Sequence, residues 1–203
     1  MRSNYKTELG SDGHGRGAYR TSDGAMKFTH DIFLRAAHEK LDIYMLWGNL
    51  TDDFFTEVTG VSLAELVRQV LEAGRNVSIF IWGDGSADSH PAQMMQLINE
   101  ASISVTWGKF ELFSSGTNDG EDSINHFIIA KSADNDMRWI VYVEQSHPRL
   151  TKEQLTSKNF EIPTEILFDT DEARQYGAAL LKVYNELRRR VNKQAAQPET
   201  TTI

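Results

Sequence analysis

Read for its alternation of apolar and polar positions, the chain becomes regular from Met26 onward. Phe28, Ile32, Phe33, Ala36 and Ala37 recur at the spacing of one helix face, and LDIYMLW (residues 41–47) follows as a strand. A turn-rich stretch leads to a second helix near Ser62, where Glu65 three positions on completes a capping box. Leu63, Leu66, Val67, Val70 and Leu71 form its apolar face, and Gly74 marks its end. VSIFIW (residues 77–82) is apolar at almost every position, the mark of a strand covered on both faces.

Beyond a Gly-Asp-Gly break, Pro91 opens a third helix through Ile98, and ISVTW (residues 103–107) reads as a short strand. Residues 110–113 suggest another strand, ahead of a polar loop. HFIIA (residues 126–130) and RWIVYV (residues 138–143), with the polar Lys131–Asp136 between them, predict a hairpin. EILF (residues 165–168) is the last strand. The final helix starts after Asp169-Thr170 and runs to about Lys193, with Ala173, Tyr176, Leu180, Tyr184 and Leu187 as its inner stripe. Helices alternating with strands, then a hairpin, a strand and a closing helix, predict an α/β sandwich: a mixed central sheet flanked by helices.

The domain therefore spans residues 25–193, preceded by a flexible leader (residues 1–24) and followed by a disordered tail (residues 194–203). Gly13-His-Gly-Arg-Gly17 in the leader has the spacing of a phosphate loop but lacks the strand before and the helix directly after that such a loop needs. With 203 residues there is length enough for one core. The absence of cysteine excludes disulfides and thiolate metal sites. No apolar stretch is long enough for a membrane span and none resembles a secretory leader, so the expected location is cytoplasmic. A net charge of −8 counts against nucleic acid as a partner. The strongest basic cluster, Arg188-Arg189-Arg190, reads first as cations complementing a helix C-terminus.

Candidate chemistry gathers near the hairpin. His126 stands before an apolar strand that ends in Lys131, and Ser146 and His147 follow the second strand. Imidazole and ammonium are the groups that attack and neutralise a phosphate. A His126–His147 metal pair would need Asp122 or Glu144 as third ligand, and no zinc-type spacing supports it; no cofactor is called for. Trp47, Trp82 and Trp107 fall at strand C-terminal ends, where open α/β sheets place ligands. With His126 and His147 they make the candidate binding set.

The order of elements, with FLRAAHEKLDIYML, LAELVRQVLEAGRNVSIFIWGDG, INEASISVTW and the ending LTSKNFEIPTEILFDTDEARQYGAALLKVYNEL, resembles one half of the phospholipase D superfamily, above all its small single-motif nucleases. The resemblance implies a phospholipase D-like sandwich and, in intact members, phosphodiester cleavage through a phosphohistidine, with His-x-Lys and an Asp five residues beyond the Lys. Here that motif is degenerate. Aligned on the apolar run, Ile124 takes the nucleophile's place and Lys131 the acid's; aligned on His126, Ile128 takes the lysine's place and Ala133 the acid's. Gln145-Ser146 stands where the family has Gly-Ser.

A site without its lysine cradle and orienting acid lacks most of its transition-state stabilisation. The expectation is therefore a non-catalytic, regulatory or inhibitory protein whose partner is another protein of unspecified identity, such as a component of a mobile-element machine like that of conjugation. Single-motif relatives pair their halves, which implies a homodimer. The alternatives are a divergent phosphodiesterase using His126, Lys131 and Ser146, and a nucleic-acid binder without chemistry.

Overall fold

A computed structural model of the chain describes residues 14–20, 24–47, 61–81, 108–114, 126–133, 138–144 and 161–195. Its elements are β1 (His14–Arg20), α1 (Gly24–Glu39), β2 (Asp42–Trp47), α2 (Leu63–Glu72), β3 (Val77–Ile81), β4 (Phe110–Ser114), β5 (Phe127–Lys131), β6 (Trp139–Glu144), β7 (Glu161–Phe168) and α3 (Asp171–Ala195). The strands form a mixed sheet of seven, in the order β1-β7-β6-β5-β2-β3-β4. β2, β3 and β4 run parallel, while β5, β6, β7 and β1 each pair antiparallel with their neighbour.

Strand alternation divides the interior into two cores. Ile43, Met45, Ile79, Ile128, Ala130, Ile140 and Tyr142 point to the face covered by α1 and α2. Leu46, Phe80, Phe127, Ile129, Trp139 and Val141 point to the face covered by α3. The sheet is thus buried on both sides, which is why β3 and β5 read as nearly unbroken apolar runs. The α/β sandwich around a mixed sheet is as the sequence indicates. Among the described residues, no helix is long and apolar enough to cross a membrane.

The predicted capping box of α2 forms by half, because the Glu65 carboxylate turns to Arg68 instead of back to the Ser62 amide. Ser62 accepts a hydrogen bond from the Glu65 amide at 3.2 Å, and Gly74 leaves α2 with φ 75°, a conformation that suits glycine. Thr170 Oγ1 accepts from the Ala173 amide at 3.0 Å to start α3. Asp169 fastens that start to β6: its carboxylate accepts from the Trp139 amide at 2.9 Å and from Arg138 at 2.6 Å.

Three differences from the sequence reading have physical causes. His14–Arg20, expected within a flexible leader, forms edge strand β1 along β7. An edge strand is held by backbone groups, which an apolar-pattern reading does not register. β7 begins four residues earlier than EILF and contains Pro163. Proline can sit there because the β6 ladder covers only Thr164 to Phe168, so Pro163 is paired on the β1 side alone. Tyr176, expected in the inner stripe of α3, is 37% exposed. Gly177 takes the inward position, and the missing side chain lets the Trp139 indole reach the helix backbone. The predicted helix at 91–98 and strand at 103–107 lie outside the described residues, as does most of the tail; Gln194 and Ala195 belong to α3.

A methyl group at position 177 would sit 2.6 Å from the Trp139 ring. Gly177→Ala should therefore destabilise the fold by about 1–3 kcal/mol through overpacking, although alanine is the better helix former by about 1 kcal/mol. Urea unfolding measures it; a stabilised variant would show that α3 does not rest on Trp139.

Candidate functional site

The end of the sheet where β2 and β6 finish and β5 begins gathers polar groups on the α1/α2 face. The β5–β6 ladder continues past Phe127↔Val143, so His126 lies opposite Glu144, and the Glu144 amide donates to the His126 carbonyl at 2.9 Å. Glu144 and Tyr142, two apart on β6, share that face. The Glu144 side chain is 3% exposed. Its Oε2 lies 2.8 Å from His126 Nδ1, and its Oε1 accepts a 2.7 Å hydrogen bond from the Tyr142 hydroxyl. A carboxylate this deep is tolerated only when strong donors replace its water.

Trp47, at the end of β2, stacks on the His126 ring with centroids 4.9 Å apart and planes 18° from parallel. Phe28 from α1 stacks on Tyr142 at 6.3 Å. Thr29, His30 and Thr164 are also buried, and Thr164 is the β7 partner of Glu144 in the ladder. Asp31, half-buried on α1, has its carboxyl pushed up to about 6 by desolvation.

Of the residues singled out from sequence, Trp47 and His126 are brought together. Lys131 is not brought to them. It lies at the far end of β5, five residues and about 17 Å along the strand. The odd spacing turns it to the α3 face, where its ammonium lies 5.3 Å from the centre of the Trp139 ring. Ile128, the lysine position in one alignment, is a fully buried member of the core below His126. Ala133, the acid position in the same alignment, is exposed just past β5. Trp82, Trp107, Asp122, Ile124, Ser146 and His147 lie outside the described residues.

Among the described residues, no group of three or more potential metal-ligating side chains comes together. The ion pairs of Arg35, Arg68, Arg138, Arg174 and Arg188 go to carboxylates other than Glu144. The sequence reading considered Glu144 only as a metal ligand. Its place as the brace of His126 follows from hairpin register, since a turn closed by the Ser132 amide on the Arg138 carbonyl pairs position 126 with 144.

A second polar assembly lies on the other face. The Tyr184 hydroxyl, on α3, is 2.9 Å from Ser78 Oγ, which donates to Glu111 at 3.3 Å; burial raises the phenol's pKa well above its usual value. Glu111 also takes Lys109 at 2.5 Å and Arg188 at 2.8 Å, and the Arg188 guanidinium lies 5.1 Å from the centre of the Phe113 ring. This network ties the second half of α3 to β3 and β4.

Comparison with known proteins adds no relative: no family model, curated protein or solved structure matches this chain.

Two outcomes follow from the electrostatics. Glu144→Leu should cost about 3 kcal/mol in denaturant unfolding, because the buried Tyr142 hydroxyl and His126 Nδ1 both lose their acceptor; Glu144→Gln should cost clearly less. Equal losses would mean that the polar atoms contribute nothing beyond shape. For Asp31, the folded pKa of about 6 lies above the unfolded value of about 4. The favourable protonated state is complete below pH 4, and stability falls as pH rises through 6. Asp31→Asn should therefore be more stable than wild type at pH 7, with the gain disappearing near pH 4. A gain independent of pH would disprove the desolvation.

Proposed function

We propose that this chain is a non-catalytic protein of phospholipase D-like fold that works by binding another protein at the His126 end of its sheet. The observation that carries this reading is the neighbour His126 keeps. The group beside the imidazole is the buried carboxylate of Glu144, while Lys131, the cation its sequence offers, lies on the opposite face. Phosphoryl chemistry needs positive charge at the developing oxyanion, and Lys131 is not placed to supply it.

The remaining features suit a binding surface. Trp47 and His126 form a stacked aromatic pair at the mouth of the site, and tryptophan is enriched at the centres of protein interfaces. On this reading the place of a former catalytic cleft at this end of the sheet serves as the partner's seat. A regulatory or inhibitory role accords with such a protein, interference with the machinery of a mobile element such as conjugation being one form of it. A homodimer across the same face is a further arrangement this reading accommodates.

One observation favours a second reading, a divergent phosphodiesterase. Glu144 on Nδ1 is the arrangement that orients an imidazole as nucleophile or base. A chromogenic phosphodiester separates the two. Wild type and His126→Ala should both stay at the background rate, and Trp47→Ala should lose a protein that wild type retains in affinity capture. Hydrolysis by wild type that His126→Ala abolishes would overturn the binding reading in favour of the second.

A further inference from the structure

The strongest basic cluster of this acidic chain lies on the second half of α3. Between Lys182 and Lys193 there are five cations and a single carboxylate, Glu186, while the whole chain carries −8. Tyr184, Leu187 and Val191 turn inward to the core, which leaves Lys182, Asn185, Arg189, Asn192 and Lys193 on the outward side.

Asn185, Arg188, Arg189 and Asn192, spaced as one stripe, line an open recess of about 440 Å³. Arg189 and Arg190 are 73% and 70% exposed and share the lone Glu186 at 3.6 and 4.0 Å. Lys182 and Lys193 make no ion pair among the described residues. Arg188, by contrast, is fixed by Glu111 and backed by the Phe113 ring. The stripe thus combines one ordered guanidinium, carboxamide donors on either side, and cations whose charge is largely uncompensated.

We propose that this face of α3 is a docking surface for a short carboxylate-rich segment of a protein. Charge complementarity gives the class, and dimensions narrow it. The positive stretch is about 17 Å long at the helical rise. Asp171 and Glu172 begin the same helix, and the remainder of the chain is acidic. A nucleic-acid duplex carries a phosphate charge every ~1.7 Å and would run on from the patch over like charge. A short acidic segment ends within it. Arg188 already pairs with a carboxylate in this structure, and a planar guanidinium backed by an aromatic ring suits that geometry. The surface lies on the opposite side of the sheet from His126, so it stands apart from the cleft reading and does not depend on it.

The test uses the full chain and a fluorescently labelled poly-glutamate peptide, with a double-stranded oligonucleotide of similar charge in a parallel titration. Wild type should bind the peptide more tightly than the oligonucleotide, with affinity falling as salt rises. Arg189→Gln combined with Lys193→Gln should weaken peptide binding about five- to tenfold, the size expected for two exposed ion pairs. Both positions are exposed, so the thermal melting midpoint should not move. Glu144→Gln, on the other face, should bind the peptide as wild type does, which separates this surface from the cleft. Peptide binding unaffected by the double variant, no peptide binding at low salt, or tighter binding of the oligonucleotide would each overturn the proposal.

Discussion

Placing the Glu144 carboxylate inside the protein constrains everything at the His126 end of the sheet. A carboxyl group withdrawn from water destabilises the fold unless hydrogen-bond partners are already in position when it is buried. The β5–β6 ladder provides them without long-range search, because register alone sets His126 opposite Glu144 and the two-residue period places Tyr142 on the same face. Once the acid is held, the imidazole is oriented, and the orientation presents a flat ring to Trp47. The hairpin and the stacked pair therefore share one cause.

The other face of the sheet solves a different problem. α3 is 25 residues long and strongly polar, and polar ties add to its apolar stripe. Asp169 clamps its first turn, Gly177 lets Trp139 close against it, and the Tyr184–Ser78–Glu111–Arg188 network fastens its second half. Glu111 is shared between Lys109 and Arg188, and among the described residues the next cations along the helix have only Glu186, at 3.6 and 4.0 Å. Anchoring α3 and exposing a basic face are thus one arrangement.

How far the sequence disclosed this follows from which physical signals it carries. β2, β3, β5 and β6 were legible because two-sided burial leaves apolar runs, and α2 because its cap, apolar face and terminal glycine agree. β1 was not, since an edge strand is selected by backbone pairing, and the first residues of β7 were not, since they pair with β1 alone and carry no apolar run. At the site, His126 and Trp47 could be named from position. Their contact could not, because it depends on β5 running antiparallel beside β2, which apolar pattern does not specify. Lys131 misled for the opposite reason: proximity in sequence counted for more than the parity of a five-residue spacing on a strand.

That parity bears most on function. An imidazole held by a carboxylate is common to nucleophiles, general bases and purely structural histidines, so the His126–Glu144 pair alone does not choose among them. Phosphoryl transfer adds a requirement the others lack, a positive charge fixed near the reacting oxygens. On β5 the candidate cation is directed to the other face and its charge lies against the Trp139 ring. Moving it to the site would require an odd shift of register, which would also carry Phe127 and Ile129 out of their core and Ile128 and Ala130 out of theirs. The two cores hold that register against such a shift, and the packing that gives the sheet its stability thereby keeps Lys131 from the site.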